Sequence, residues 1–127
     1  MSKKIIATDK APAAIGPYSQ GVAAGNLLFV SGQLGIDPST KTLVTTNFED
    51  QVKQAFANLQ NVAAAGGATL GDAVKLTLFL TDLSKFATVN ETMKQFFSEP
   101  FPARSTIEVS GLPVKGEFEV EGIFLLK

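Results

Sequence analysis

Val74, Leu76, Leu78 and Leu80 alternate with Lys75, Thr77, Phe79 and Thr81. Strict period-two alternation predicts a strand over residues 73–81 with one fully buried face. A different period governs the preceding stretch. Val52, Ala55, Phe56, Leu59, Val62 and Ala63 recur at spacings of three and four and form one apolar stripe of a helix. Thr46 and Glu49 fit a capping box at its start, and Gly66-Gly67 supplies its stop. Asp82 or Ser84 is placed to cap a second helix with Phe86, Val89, Met93, Phe96 and Phe97 on its inner face; Pro100 and Pro102 end it.

Further strands are predicted at residues 3–7, 26–36, 41–44, 103–109 and 118–126. Gly32 and Gly35 interrupt the second of these, which signals a bulge or a close backbone approach. Asp37-Pro38-Ser39-Thr40 is a turn, so residues 41–44 read as the return strand of a hairpin. Residues 11–20 form a Pro/Gly loop. The order β-β-β-α-β-α-β-β predicts a two-layer α+β domain, one sheet with helices on one face. The other face carries Phe79, Ile123 and Leu125 among small polar residues. A partly apolar, uncovered sheet face usually meets another subunit, which predicts a homo-oligomer.

The 127 residues suffice for one domain, residues 1–127, with a real core. Net charge is −1 with both signs interspersed, which argues against a nucleic-acid binder, since such a protein needs a basic face. The absence of Cys and His excludes disulfides, thiol catalysis and Cys/His zinc sites. Proton transfer therefore falls to carboxylates, lysines, Tyr18 or water. No loop has the Asp-rich spacing of a calcium site, so no metal is expected. No apolar run approaches a membrane span, and Ile5-Ile6-Ala7 after Lys3-Lys4 is too short for a signal core. The expectation is a soluble cytoplasmic protein.

One arginine, Arg104, stands at the start of a short apolar strand in Pro100-Phe101-Pro102-Ala103-Arg104-Ser105-Thr106-Ile107-Glu108-Val109. A guanidinium is always charged and its rigid donor fork fits a carboxylate. The competing reading is a solvated strand arginine in a weak surface pair. Glu108 lies about 13 Å along the strand, too far to neutralise it. Glu117, Glu119 and Glu121 alternate with Phe118 and Val120, and their face runs on into Ile123 and Leu125. Such a row is either a solvated face or a partly shielded one. Shielding raises a carboxylate pKa and makes it a better base for activating water. If the last two strands formed a simple hairpin, Glu119 would lie roughly 20 Å from Arg104. The two meet only if those strands are not partners, or across a subunit boundary. Tyr18 is the sole tyrosine, in a Gly-Pro loop where it either plugs the core edge or faces solvent or a neighbouring chain. Ser31-Gly32 offers a hydroxyl and bare backbone amides but no phosphate-loop pattern. Asn90, inside the second helix, reads first as a solvated helix residue.

Taken together, Ala14-Ile15-Gly16-Pro17-Tyr18-Ser19-Gln20, Leu28-Phe29-Val30-Ser31-Gly32-Gln33 and the Pro102–Val109 segment, with Glu119 and Glu121 downstream, resemble the Rid/YjgF reactive-intermediate deaminase family over essentially the whole chain. The resemblance implies a chorismate-mutase-like fold in which the last two strands are separated. It also implies a homotrimer with clefts between subunits, and cofactor-free hydrolysis of enamines and imines such as 2-aminoacrylate and 2-iminobutanoate to 2-keto acids and ammonia. It assigns Arg104 to the substrate carboxylate, Glu119 to the attacking water and the backbone carbonyl of Thr106 to the substrate nitrogen. Tyr18, Ser31, Gly32 and Asn90 would line the cleft. Thr106 stands where the family often has Cys, and the final strand departs from the usual pattern at Val120 and Gly122, which leaves Glu119 and Glu121 as alternatives for the acting carboxylate.

Two other functions fit the same residues. One is a non-catalytic module that binds 2-keto acids in the same cleft, for which Glu119 would be dispensable. The other is a chaperone-like or translation-inhibiting protein, as proposed for relatives; no basic, aromatic-interleaved surface supports RNA binding.

Overall fold

Residues 2–127 are described by a computed structural model. The helical stripe forms α1 (Phe48–Ala65) and the second stripe α2 (Phe86–Met93). The strands are β1 (Lys4–Ile6), β2 (Gly21–Ala24), β3 (Leu27–Leu34), β4 (Ile36–Asp37), β5 (Thr42–Leu43), β6 (Ala73–Leu80), β7 (Ala103–Glu108) and β8 (Phe118–Leu125). A hairpin does form across the Asp37–Thr40 turn, but β5 returns on the two-residue β4 in a small sheet of its own, not on the long strand before it, which ends at Leu34. The other six make one sheet in the order β1-β2-β3-β8-β6-β7. Only the β6–β7 pair is parallel.

The last two strands are therefore not hairpin partners. β8 fills the sheet centre between β3 and β6, and β7 lies on the edge. Alternation then sorts the side chains. Phe118, Val120 and Phe124 of β8, Leu76, Leu78 and Leu80 of β6, and Leu28 and Val30 of β3 are buried beneath the helices. The whole α1 stripe from Val52 to Ala63 is fully buried against them. Phe56 is the hub, its ring within 5.6 Å of the ring centroids of Phe96, Phe97 and Phe118. Edge-on packing of this kind adds to the area term of burial.

Five local readings are corrected. The β2 strand was not anticipated, because Gly-Val-Ala-Ala has weak strand propensity. Val74 is 46% exposed, since a register shift between Ala73 and Lys75 breaks the alternation there. α2 ends at Met93, well before Pro100. Gln95 and Phe96 bond to carbonyls three residues back, a tightening that turns Phe96 and Phe97 down onto Phe56. Asp82 caps only the short 3₁₀ turn Leu83–Lys85 that leads into α2.

The fifth correction concerns the start of α1. Asn47, not Thr46, is the cap: its side chain accepts from the Asp50 N–H at 2.8 Å. Thr46 instead donates its hydroxyl to Asp50 Oδ2 at 2.6 Å, and Glu49 pairs with Lys53 at 2.8 Å. Asn47→Ala is expected to lower stability by about 1 kcal/mol in denaturant unfolding. Glu49→Ala is expected to change it by less than about 0.5 kcal/mol, because an exposed ion pair contributes little.

Candidate active site

Val109 donates its N–H to Leu80 at 2.8 Å, which fixes the phase of the β6–β7 ladder. In a parallel pair the N–H and C=O of one residue point the same way, and successive residues alternate. The odd-numbered residues of β7 therefore face β6. Arg104, Thr106 and Glu108 turn their backbone N–H and C=O groups to the open edge of the sheet.

The side chain of Arg104 lies on the helix side, in register with buried Leu76. Its Nη1 donates to Asn90 Oδ1 at 2.8 Å and points to Met93 Sδ at 3.6 Å. Its guanidinium carbon sits 5.2 Å from the centroid of the Phe86 ring. Among the described residues no carboxylate pairs with Arg104, and Nε and Nη2 have no protein acceptor. A cleft of about 460 Å³ opens here, lined by Ala87, Asn90, Met93, Phe101, Pro102 and Arg104 among others. Asn90 is thus no bystander, and Phe86 is not the core residue its spacing predicts: it is 39% exposed. Beside Arg104 on the same strand face, the Thr106 hydroxyl is buried without a hydrogen-bond partner.

The second group lies on the other face of the sheet. Glu119 pairs with Phe79 of β6, which in turn pairs with Ile107 of β7, three residues from Arg104. An odd offset reverses the face, and strand spacing puts the two Cα atoms roughly 14 Å apart. Glu119 lies directly over Gly32, where the β3 register shifts between Val30 and Gln33. A Cβ at Gly32 would come within 2.5 Å of Glu119 Oε2. The bare backbone is what lets the carboxylate settle there. Burial, with the neighbouring charge of Glu121 adding to it, pushes the Glu119 carboxyl above its ordinary value. Gly35, the other interrupting glycine, answers a different need: a Cβ there would lie 2.6 Å from the backbone of Gln51 on α1.

Ser31 joins this second group to the N-terminal loop. Its hydroxyl donates to the Ser19 carbonyl at 2.6 Å, and its N–H to the Gln20 carbonyl at 2.9 Å. Gln20 is buried and ties the loop with bonds from Nε2 to the carbonyls of Thr8, Ala11 and Pro12. On that anchored loop Tyr18 is 53% exposed; its N–H donates to the Gly16 carbonyl at 2.9 Å, and its hydroxyl accepts a long bond, 3.4 Å, from the Ile15 N–H. It does not plug the core. Glu117, the first of the alternating glutamates, belongs to neither group. It is held by Lys85 at 2.7 Å and by Gln51 at 3.3 Å.

The chain thus gathers Arg104, Asn90 and Thr106 on the helix side, and Glu119, Gly32 and Ser31 on the other. Among the described residues no three His, Cys, Asp or Glu side chains gather to hold a metal ion, and no helix is long and apolar enough to cross a membrane.

The family model described as endoribonuclease L-PSP matches residues 8–125. A Dermatophagoides farinae protein named 2-iminobutanoate/2-iminopropanoate deaminase is 43% identical over 98% of both chains. A Bos taurus protein of the same name is 45% identical over 95% of this chain and 88% of its own. The chain belongs to the Rid/YjgF family. Solved structures of the family share its eight-stranded, two-helix α+β architecture. RidA from a Psychrobacter species superposes with a TM-score of 0.94 at 46% identity, over 97% of this chain and 99% of its own. E. coli TdcF, solved with bound serine, gives 0.93 at 42% identity over 98% and 99%.

The raised Glu119 pKa makes a stability prediction. A carboxyl that titrates higher in the folded state contributes nothing below its ordinary value of 4.5 and opposes folding as pH rises through the raised one. Glu119→Gln is therefore expected to be more stable than the parent at pH 7, and the gain to vanish near about pH 3. Thermal unfolding of both proteins across that range checks it.

Proposed function

We propose that this chain is a cofactor-free deaminase that hydrolyses small 2-imino acids and their enamine tautomers to 2-keto acids and ammonia, as a homotrimer. The observation that carries the reading is the guanidinium of Arg104, held in place yet unneutralised at the edge of an open cleft. It is suited to a carboxylate bound through Nε and Nη2. The names of the relatives from D. farinae and B. taurus supply the substrate class.

The carboxylate on Arg104 brings the C=N group alongside the open edge of β7, where the Thr106 carbonyl is free to accept from the substrate nitrogen. Water adds to the imine carbon and its proton passes to Glu119, whose carboxylate burial makes a stronger base than an exposed one. The carbinolamine takes that proton back from Glu119 at nitrogen; as the C–N bond breaks and ammonia leaves, the hydroxyl O–H proton passes to the Glu119 carboxylate and the C=O of the keto acid forms. A protonated imine is already electrophilic, so positioning does much of the work.

Arg104 and Glu119 lie on opposite faces of one sheet and cannot share a substrate within one protomer. A second copy has to bring its Glu119 face against the Arg104 cleft. The open face supports such a contact: Ile5, Val22, Phe29 and Ile123 align across four neighbouring strands, and Ile5, Phe29 and Leu125 are each more than 40% exposed. Patches of this kind mark protein interfaces. Tyr18, on its anchored loop, would line the same boundary, with Ser31 and Gly32 beneath it.

The test is a coupled assay in which a Ser/Thr dehydratase generates the imine and keto-acid release is followed. Arg104→Ala and Glu119→Gln are each expected to be inactive but folded, with Glu119→Gln still binding 2-oxobutanoate. Unfolded together and co-refolded at equal amounts, they should recover about a quarter of the wild-type rate, the share of intact sites at random assembly. No recovery would place the site within one subunit, and no acceleration by the wild type would leave a ligand-binding module. Gly32→Ala is expected to fold normally, since a flexible carboxylate is what must move, and to lose about 10²-fold in kcat.

A further inference from the structure

Phe86, Asn90 and Met93 recur at i, i+4 and i+7, and α2 thus presents them as one stripe. All three touch the same guanidinium: Asn90 at 2.8 Å and Met93 at 3.6 Å on Nη1, and the Phe86 ring at 5.2 Å. None of the three carries a charge. An acidic residue in their place would orient the arginine more strongly, but it would also neutralise it. The amide oxygen and the thioether occupy both N–H groups of Nη1. The pair of parallel N–H groups left on Nε and Nη2 is the edge that takes a carboxylate with two bonds.

Phe86 stands apart from the other two. It makes no hydrogen bond that fixes a donor, and at 39% exposure it adds little to the core. A ring under a guanidinium attracts the cation through its quadrupole and restrains the plane of the fork. Without it, Arg104 would keep its bond to Asn90 but could swing about it.

We propose that Phe86 is a positioning residue for carboxylate recognition, acting through Arg104 and reading substrate at binding rather than at the chemical step. The proposal rests on the assignment of Arg104 as the carboxylate clamp. Phe86→Leu keeps an apolar side chain without a ring. It is expected to raise KM for the imine about threefold to tenfold, the size of one cation–π contact, with kcat within twofold of wild type. Calorimetry with 2-oxobutanoate should show the same loss of affinity, and Phe86→Tyr, which keeps the ring, should restore both. Phe86→Met serves if the Leu variant does not fold.

An unchanged KM, a fall in kcat at constant KM, or a Tyr variant as impaired as the Leu variant would each overturn the proposal. The failure of the deaminase reading looks different. A wild type that binds 2-oxobutanoate without turnover removes the chemistry but leaves the calorimetric test of Phe86 standing. A wild type that does not bind it overturns the clamp and the positioning residue together.

Discussion

Side chains on a strand alternate between two faces, and β8 sits at the centre of the sheet with a neighbour on each side. Those two facts govern the molecule. Phe118, Val120 and Phe124 must go under the helices to complete the core. Glu119 and Glu121 are then forced onto the opposite face, whatever their chemistry requires. The same parity at the edge strand sends Arg104 to the helix side. The two charged groups on which the proposed reaction depends are separated because the core demands it, and it is the architecture that creates the need for a second copy.

The electrostatics follow from the same layout. On the helix side a lone cation is steadied by an amide, a sulfur and an aromatic ring, so its charge stays available. On the far side burial, and after it the like charge of Glu121, raises the Glu119 carboxyl above its ordinary value, which makes its carboxylate a stronger base. Each group is kept from the partner that would quiet it. Elsewhere in the chain carboxylates are paired in the ordinary manner, as Glu117 with Lys85 and Glu49 with Lys53.

Much of the architecture was legible because burial imposes periods. The α1 stripe and the alternation of β6 from Leu76 to Leu80 read directly, and Gly32 within β3 and Gly35 just after it both mark close approaches. What pattern could not give was pairing. No local signal tells that β8 crosses to lie between β3 and β6, and a hairpin between the last two strands is the natural first assumption. The β2 strand was invisible because its small residues take their strand identity from the neighbours on either side. Of the site, Arg104 stands out as the one arginine, whereas the glutamate row reads equally as solvated or shielded and does not separate Glu119 from Glu121. Asn90 reads from its helix as a solvated residue, the family resemblance alone points it to the cleft, and its bond to Arg104 is visible only in the fold. Phe86 was misassigned because a helical stripe looks the same whether it packs on a core or on a cation. The family motifs carried what periodicity could not, since they link residues far apart in the chain.

The open edge of β7 has a consequence for how such a protein can drift. The recognition edge proposed for Thr106 is made of main-chain amide and carbonyl groups and comes with the strand itself. No point substitution deletes it, short of proline or a slip in register. The side chain at position 106 is thereby released from that duty, and a threonine there leaves the edge as it was. A substitution at position 106 can rewrite the side chain and leave the hydrogen-bonding edge in place, a surface held by backbone geometry rather than by side-chain identity.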